Sequence, residues 1–386
     1  MHNTISIRAI TLVLAVVVFI LFQFFPTLLD TPAILDPASY NLLSYKRIDA
    51  DGNLQADPFQ QPGYLWRSKD IAETRWIPYD TDTLLEELPV SHGDGPPKST
   101  LSRAAPDLLR RLAQNFSAID PELEYLRDSH IAFMCDSHCV NLVGGFCNFL
   151  NPAGSVFIQE SINFTMTNLF HYGAVHRNSS WSQYIFSQPG PPMFEDRLDQ
   201  ILVPKLNITG PPTLIVFDSA YWDSLYYAER SRFFENGEDD YPARPYGLAY
   251  SELAHHRRRI SDMITSLRAH FPRVPLMWKP AHPRWRKDIG SVDISHFNDS
   301  NRALMKLLNI PVFECELLEI CFGFARGSSN SPDFQGASKI TGEYDYVDGQ
   351  HLTPRSTPTW LAVDMSLYYL HRYKKAGRVK TIAQYS

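Results

Sequence analysis

A serine hydroxyl becomes a nucleophile only beside a base that takes its proton, and this chain offers one such combination at long range. Ser137 closes the run HIAFMCDS, where an apolar stretch meets a polar pair. A serine that ends a buried strand and opens a helix holds its hydroxyl at a sheet edge, beside backbone N–H groups able to meet a developing oxyanion. The base is in DGQHL, where Asp348 and His351 stand three residues apart before the last apolar helix. At that spacing the carboxylate can accept the Nδ1 proton, fix the tautomer and stabilise the imidazolium formed when His351 takes the Ser137 proton. The chemistry implied is acyl transfer at an ester. A serine after a strand is also a common N-cap, and Asp-x-x-His is a common tetrapeptide, so placement at the two ends of one domain carries the weight.

That placement needs a scaffold, and from about residue 129 the chain reads strand then helix in alternation. HIAFM is a short apolar run followed by a helix through Val140 to Leu150, and PTLIVF (212–217) ends at Asp218-Ser219 and leads to a helix beyond Trp222. Tyr250 to Phe271 has apolar residues at helical spacing, VPLMW (274–278) is another buried strand, and a helix around 303–308 precedes PVFECELL. Thr357-Pro358 starts the last helix, with proline at its first position. The alternation predicts a three-layer α/β/α fold around a mostly parallel sheet, with ligands beyond the carboxyl ends of the strands. Asp136-Ser137 and Asp218-Ser219 both fall at that edge.

The residues that occupy these positions resemble the SGNH hydrolases, and within them the PC-esterase or trichome-birefringence-like branch with its fungal membrane-anchored members. IAFMCDSHCVNLVGGFCNFL looks like the block that carries the nucleophile, here Ser137. PTLIVFDSAYWD, with Trp222-Asp223, and PLMWKPAHP, with Lys279 and His282, are similar to the middle blocks. VDGQHLTPRSTPTWLAVDMSLYYL looks like the last block and supplies Asp348 and His351. The likeness runs over about residues 129 to 375. It implies a flavodoxin-like three-layer fold and esterase or O-acyltransferase chemistry, commonly on glycan O-acetyl groups, with no metal or organic cofactor. It also implies an oxyanion hole from the Ser137 backbone, Gly173 in NLFHYGAVH, and an Asn side chain whose place Asp218 takes; His282 would line the cleft. Cys135 replaces a usual glycine, Val140 stands where many members carry Arg, and a carboxylate at 218 would repel an oxyanion unless protonated or turned away. A catalytically degenerate, glycan-binding relative is therefore the alternative.

Other chemistry-bearing residues have plainer readings. His138 points away from its neighbour, His255 and His256 lie on a charged helix without metal spacing, and Arg257, Arg258 and Arg259 read as a solvated face. Trp222 and Trp278 read as core or rim, and Cys135, ending a buried strand, as inert. Five cysteines leave at least one unpaired if the others form disulfides; Cys315 with Cys321 is the first pair to test, while Cys139 and Cys147 sit too far apart on one helix. An anchor, stem and lumenal domain is also the layout of type II Golgi glycosyltransferases, which makes them the second alternative, and Asp80-Thr81-Asp82 offers their D-x-D, although it falls in the stem before the α/β pattern and reads more plainly as a loop.

The chain has 386 residues, 44% of them hydrophobic, enough for a substantial core. A net charge of -6 and a pI near 6.1 argue against a nucleic-acid partner. IRAITLVLAVVVFILFQFFPTLL (7–29) is almost unbroken apolar sequence, longer than a signal-peptide core, and reads as an uncleaved bilayer span. Arg8 before it and Asp30 and Asp36 after it orient the remainder to the lumen of the secretory pathway, Golgi or ER, as a type II membrane protein. Sequons at Asn115, Asn163, Asn178, Asn207 and Asn298 agree with that compartment. The expected layout is a cytosolic tip and anchor (1–29), a Pro-rich, partly ordered stem (30–125) and an SGNH-like α/β domain (126–386).

Overall fold

The computed structural model describes residues 46–48, 54–60, 63–66, 74–78, 108–114, 121–150, 163–175, 191–224, 226–227, 248–281, 294–313 and 356–385. The expected bilayer span at 7–29 and the D-x-D at 80–82 lie outside them. Among the described residues no helix is long and apolar enough to cross a membrane.

Two short antiparallel pairs come first: β1 (Lys46–Ile48) with β2 (Leu54–Ala56), and β3 (Gly63–Trp66) with β4 (Arg75–Pro78). Helix α1 (Leu108–Gln114) follows, and then the central sheet of β5 (His130–Met134), β6 (Thr165–Asn168), β7 (Leu214–Phe217) and β8 (Leu276–Trp278). All four strands are parallel, in the order β6-β5-β7-β8, and Val312 adds a bridge on the far side of Trp278. This is a doubly wound order: the chain adds β6 on one side of β5 and everything later on the other. The crevice at such a reversal, between β5 and β7, is where α/β sheets bind ligands.

Strand side chains alternate faces, and both faces are covered. Ile131, Phe133, Leu214, Val216 and Met277 meet α2 (Ser137–Leu150) and α7 (Thr357–Tyr385) in one core. Ala132, Met134, Ile215, Phe217, Leu276 and Trp278 meet the other layer. That layer holds α3 (Phe194–Arg197), which runs through a π-turn into α4 (Val203–Thr209), together with α5 (Tyr250–His270) and α6 (Ile294–Leu307). Burial on both sides explains why these strands read as continuous apolar runs. On α5 the buried residues Ile260, Met263, Ile264 and Leu267 repeat at three and four, which sets one face toward the sheet.

Compared with the sequence reading, α2 begins at Ser137 and α6 begins nine residues before the expected start at 303. The short polar-patterned strand β6 and the α3–α4 helix were not foreseen, since TMTN has no apolar run. Described residues at 59, 76 and 108–112 contribute to the same core. Phe59, Trp76, Leu108, Leu109 and Leu112 are buried with α7, and Phe59 meets Tyr368 edge-on at 5.2 Å. Asp364 on α7 accepts the Leu109 N–H at 2.7 Å, satisfying a first-turn donor of α1 from outside that helix. Arg372 pairs with Asp57 at 2.5 Å, both buried, and Asp57 also accepts the Phe59 N–H. Burial raises the Asp57 pKa while Arg372 opposes the rise.

Removing one member of a buried ion pair strands the other. Arg372→Ala is expected to cost about 3–5 kcal/mol in denaturant unfolding, and the Asp57→Asn/Arg372→Met double variant clearly less.

Candidate active site

The register of three strands sets the site. Phe133 lies opposite Val216, Met134 opposite Phe217, and Phe217 opposite Trp278, so the next residues in each strand, Cys135, Asp218 and Lys279, leave the sheet side by side. The backbone keeps this order past the strand ends: Asp218 N–H donates to Met134 O at 3.2 Å and Lys279 N–H to Phe217 O at 2.8 Å.

Ser137 is the first residue of α2 and is half-buried, directly beyond the carboxyl end of β5. The turn that presents it is held at three points. The Asp136 backbone carbonyl accepts the Cys139 N–H at 3.3 Å, and the Asp136 N–H donates to Asp218 Oδ1 at 3.3 Å. A disulfide joins Cys135 to Cys139, closing the loop around Asp136, Ser137 and His138. The pairing of Cys135 with Cys139 is not among those the sequence reading considers, and a sulfur held in a disulfide is not a nucleophilic thiolate. Its signal was available: cysteines four apart at a strand-to-helix turn lie one helical turn apart, here 5.7 Å between Cα atoms. Cys147 is free, and Cys315 and Cys321 lie outside the described residues.

Asp218 is 1% exposed, so its charge needs a partner. Lys279, equally enclosed, places Nζ 3.3 Å from Asp218 Oδ2. The carboxylate is thus directed at Asp136 N–H and the ammonium, beneath the Ser137 turn. Cys135, Cys139 and Asp218 bring three potential metal-ligand atoms within 4.8 Å of one another, but sulfurs bonded to each other are not thiolates and Lys279 already supplies the cation. The segment carrying Lys279 is clipped in turn: the Asn298 carboxamide accepts the Ala281 N–H at 3.1 Å and donates to Ala281 O at 2.7 Å. Asn298, one of the sequon asparagines, is therefore buried with both ends of its amide used. Asn163 and Asn207 are exposed; Asn115 and Asn178 lie outside the described residues.

Gly173 stands at the end of the segment after β6, with φ +90°. A Cβ there would collide with the Asp223 carboxylate, so glycine is required both by the backbone and by the neighbour. Its N–H donates to His171 Nδ1 at 3.0 Å, which makes His171 the Nε2–H tautomer, donating to Met134 O at 3.1 Å. As placed, that N–H is occupied rather than open to an oxyanion.

Asp223, noted only as part of Trp-Asp in the sequence, is the hub behind this loop. Its carboxylate accepts from Val175 N–H at 3.0 Å, Ala174 N–H at 3.3 Å, His256 Nε2–H at 3.0 Å and the Ser219 hydroxyl. Ser219, Asp223 and His256 are buried residues of relay type, yet the carboxylate stands between hydroxyl and imidazole, so the order of a Ser-His-Asp relay is not formed. Their work is to fix the loop. Arg259 braces it too, donating to Ala174 O at 2.9 Å while pairing with Glu195 at 2.8 Å. The arginine run is accordingly not a merely solvated face: Arg257 donates to Ser300 and Arg259 ties α5 to α3. Trp278 is core, and Trp222 forms an edge-to-face cluster with Phe170 and Tyr172. Asp348, His351 and His282 lie outside the described residues.

Burial holds the His171 pKa below the ordinary 6.5. The unfolded chain therefore binds this proton first as pH falls: the contribution is complete above about 6.5 and is lost below it, down to the folded value. Thermal melts between about pH 7 and 5 are expected to show falling stability, with a shallower fall in His171→Gln.

Neither a family model nor a curated relative matches the sequence. Solved structures that resemble it include a GDSL-like lipase from Bacteroides thetaiotaomicron VPI-5482, 13% identical with a TM-score of 0.33, covering 69% of this chain and 98% of that one. A putative acylhydrolase from Bacteroides fragilis NCTC 9343 is 15% identical with a TM-score of 0.33, covering 69% and 97%. A putative GDSL-like lipase from Parabacteroides merdae ATCC 43184 is 12% identical with a TM-score of 0.34, covering 63% and 97%.

Proposed function

We propose that the chain is an SGNH-like acyl-ester hydrolase or O-acyltransferase acting on O-acetyl groups of glycans, with Ser137 as nucleophile. The observation that carries this reading is the position of Ser137: first residue of α2, beyond β5, at the reversal of strand order, on a turn tied down by the disulfide and by Asp218. First-turn N–H groups have no partner within their own helix, which suits them to a developing oxyanion.

In this mechanism Ser137 Oγ attacks the ester carbonyl carbon while His351 takes its proton, and Asp348 orients and stabilises the imidazolium. His351 then returns the proton to the departing alkoxide. Water or an acceptor hydroxyl, deprotonated by His351, releases the acyl group and frees Ser137. Residues 7–29 would anchor the enzyme as a type II protein of the Golgi or ER, holding the domain near glycans in transit.

The glycan-binding alternative draws on two observations: Asp218 stands where a neutral donor is expected, and the Gly173 N–H is already engaged. Turnover of p-nitrophenyl acetate separates the two readings. The enzyme reading expects Ser137→Ala to abolish turnover and His351→Ala to lower kcat/KM by about 10²–10⁴-fold. Absence of turnover in the wild type, with glycan affinity unchanged in Ser137→Ala, would favour the binding module.

A further inference from the structure

We infer that Lys279 is a positioning residue of the Ser137 site, neutralising Asp218 so that a carboxylate can occupy the place of a neutral oxyanion donor. The inference rests on the Ser137 reading and concerns how that site tolerates its least suitable residue. Asp218 lies one hydrogen bond from Asp136, the residue before Ser137, so an unpaired negative charge there would oppose negative charge forming at the acyl carbon. Water does not screen it, because the side chains of Asp218 and Lys279 are 1% and 3% exposed. A like charge close by, at an effective dielectric of about 20, costs on the order of a hundredfold in rate.

Geometry makes Lys279 the matching countercharge. The β7–β8 register brings residues 218 and 279 out of adjacent strands together, and the ammonium reaches Asp218 Oδ2 at 3.3 Å. Behind it, the Asn298 carboxamide clamps both backbone groups of Ala281, so the chain after Lys279 is held. Taken together, the ion pair presents the same net charge as a single neutral amide. The pair, rather than residue 218 alone, is the unit to test.

The test compares p-nitrophenyl acetate turnover by the full chain in detergent. Lys279→Met is expected to lower kcat about a hundredfold with KM within about threefold, because the substrate ground state carries no charge at the carbonyl. Asp218→Asn/Lys279→Met, which removes both charges, is expected to recover at least tenfold of that loss. A merely structural pair would show its loss and recovery in the thermal melt while leaving kcat of the folded enzyme unchanged. A double variant as slow as Lys279→Met, or a Lys279→Met enzyme as fast as wild type, overturns the inference. Should Lys279→Met fail to fold by thermal melt, the double variant decides: folded and within about tenfold of wild type supports pairing, folded and more than about a hundredfold slower refutes it. Turnover that persists in Ser137→Ala removes the underlying reading instead, and that variant alone tells the two failures apart.

Discussion

A carboxylate enclosed beneath the turn that presents Ser137 is the constraint around which this end of the molecule is organised. Removing Asp218 from water is costly, and the protein meets that cost with two donors fixed by backbone geometry: the Asp136 N–H and the Lys279 ammonium. Neither donor is free to wander. One is bound into the turn closed by the Cys135–Cys139 disulfide, and the other extends from a buried strand whose continuation is clamped by Asn298. Three adjacent parallel strands thus deliver the Ser137 turn, the Asp218 carboxylate and the Lys279 countercharge to one edge.

Asp223 repeats the same principle on the neighbouring loop. With four donors on its carboxylate, it joins the segment after β6, the end of β7 and helix α5, and it comes so close to Gly173 that no side chain fits there. His171, held neutral by burial, links Gly173 back to β5. Two of the buried acids that frame the site, Asp218 and Asp223, are met by different partners. Asp218 is neutralised by a cation, and Asp223 is solvated by fixed N–H and O–H dipoles.

The central sheet was legible because strands buried on both faces read as short apolar runs ending at polar pairs, and HIAFM and LIVF do so plainly. β6 was not, since TMTN carries no hydrophobic signal and joins the sheet through backbone pairing with β5. Ser137 could be placed from strand-then-helix order, whereas Gly173 came only through the family resemblance. The partnerships of Lys279, Asp223 and His256 could not, because each depends on contacts between residues 33 to 61 positions apart. Asn298 shows the converse: a sequon visible in three letters turned out to be a buried clip.

Reaction of the full chain with a serine-directed fluorophosphonate, followed by peptide mapping, tests the central claim most directly. A reactive Ser137 yields a single adduct on the peptide spanning the Cys135–Cys139 turn, lost in Ser137→Ala and slowed in His351→Ala. An adduct on another residue, or none while Ser137 remains accessible to solvent, would contradict it.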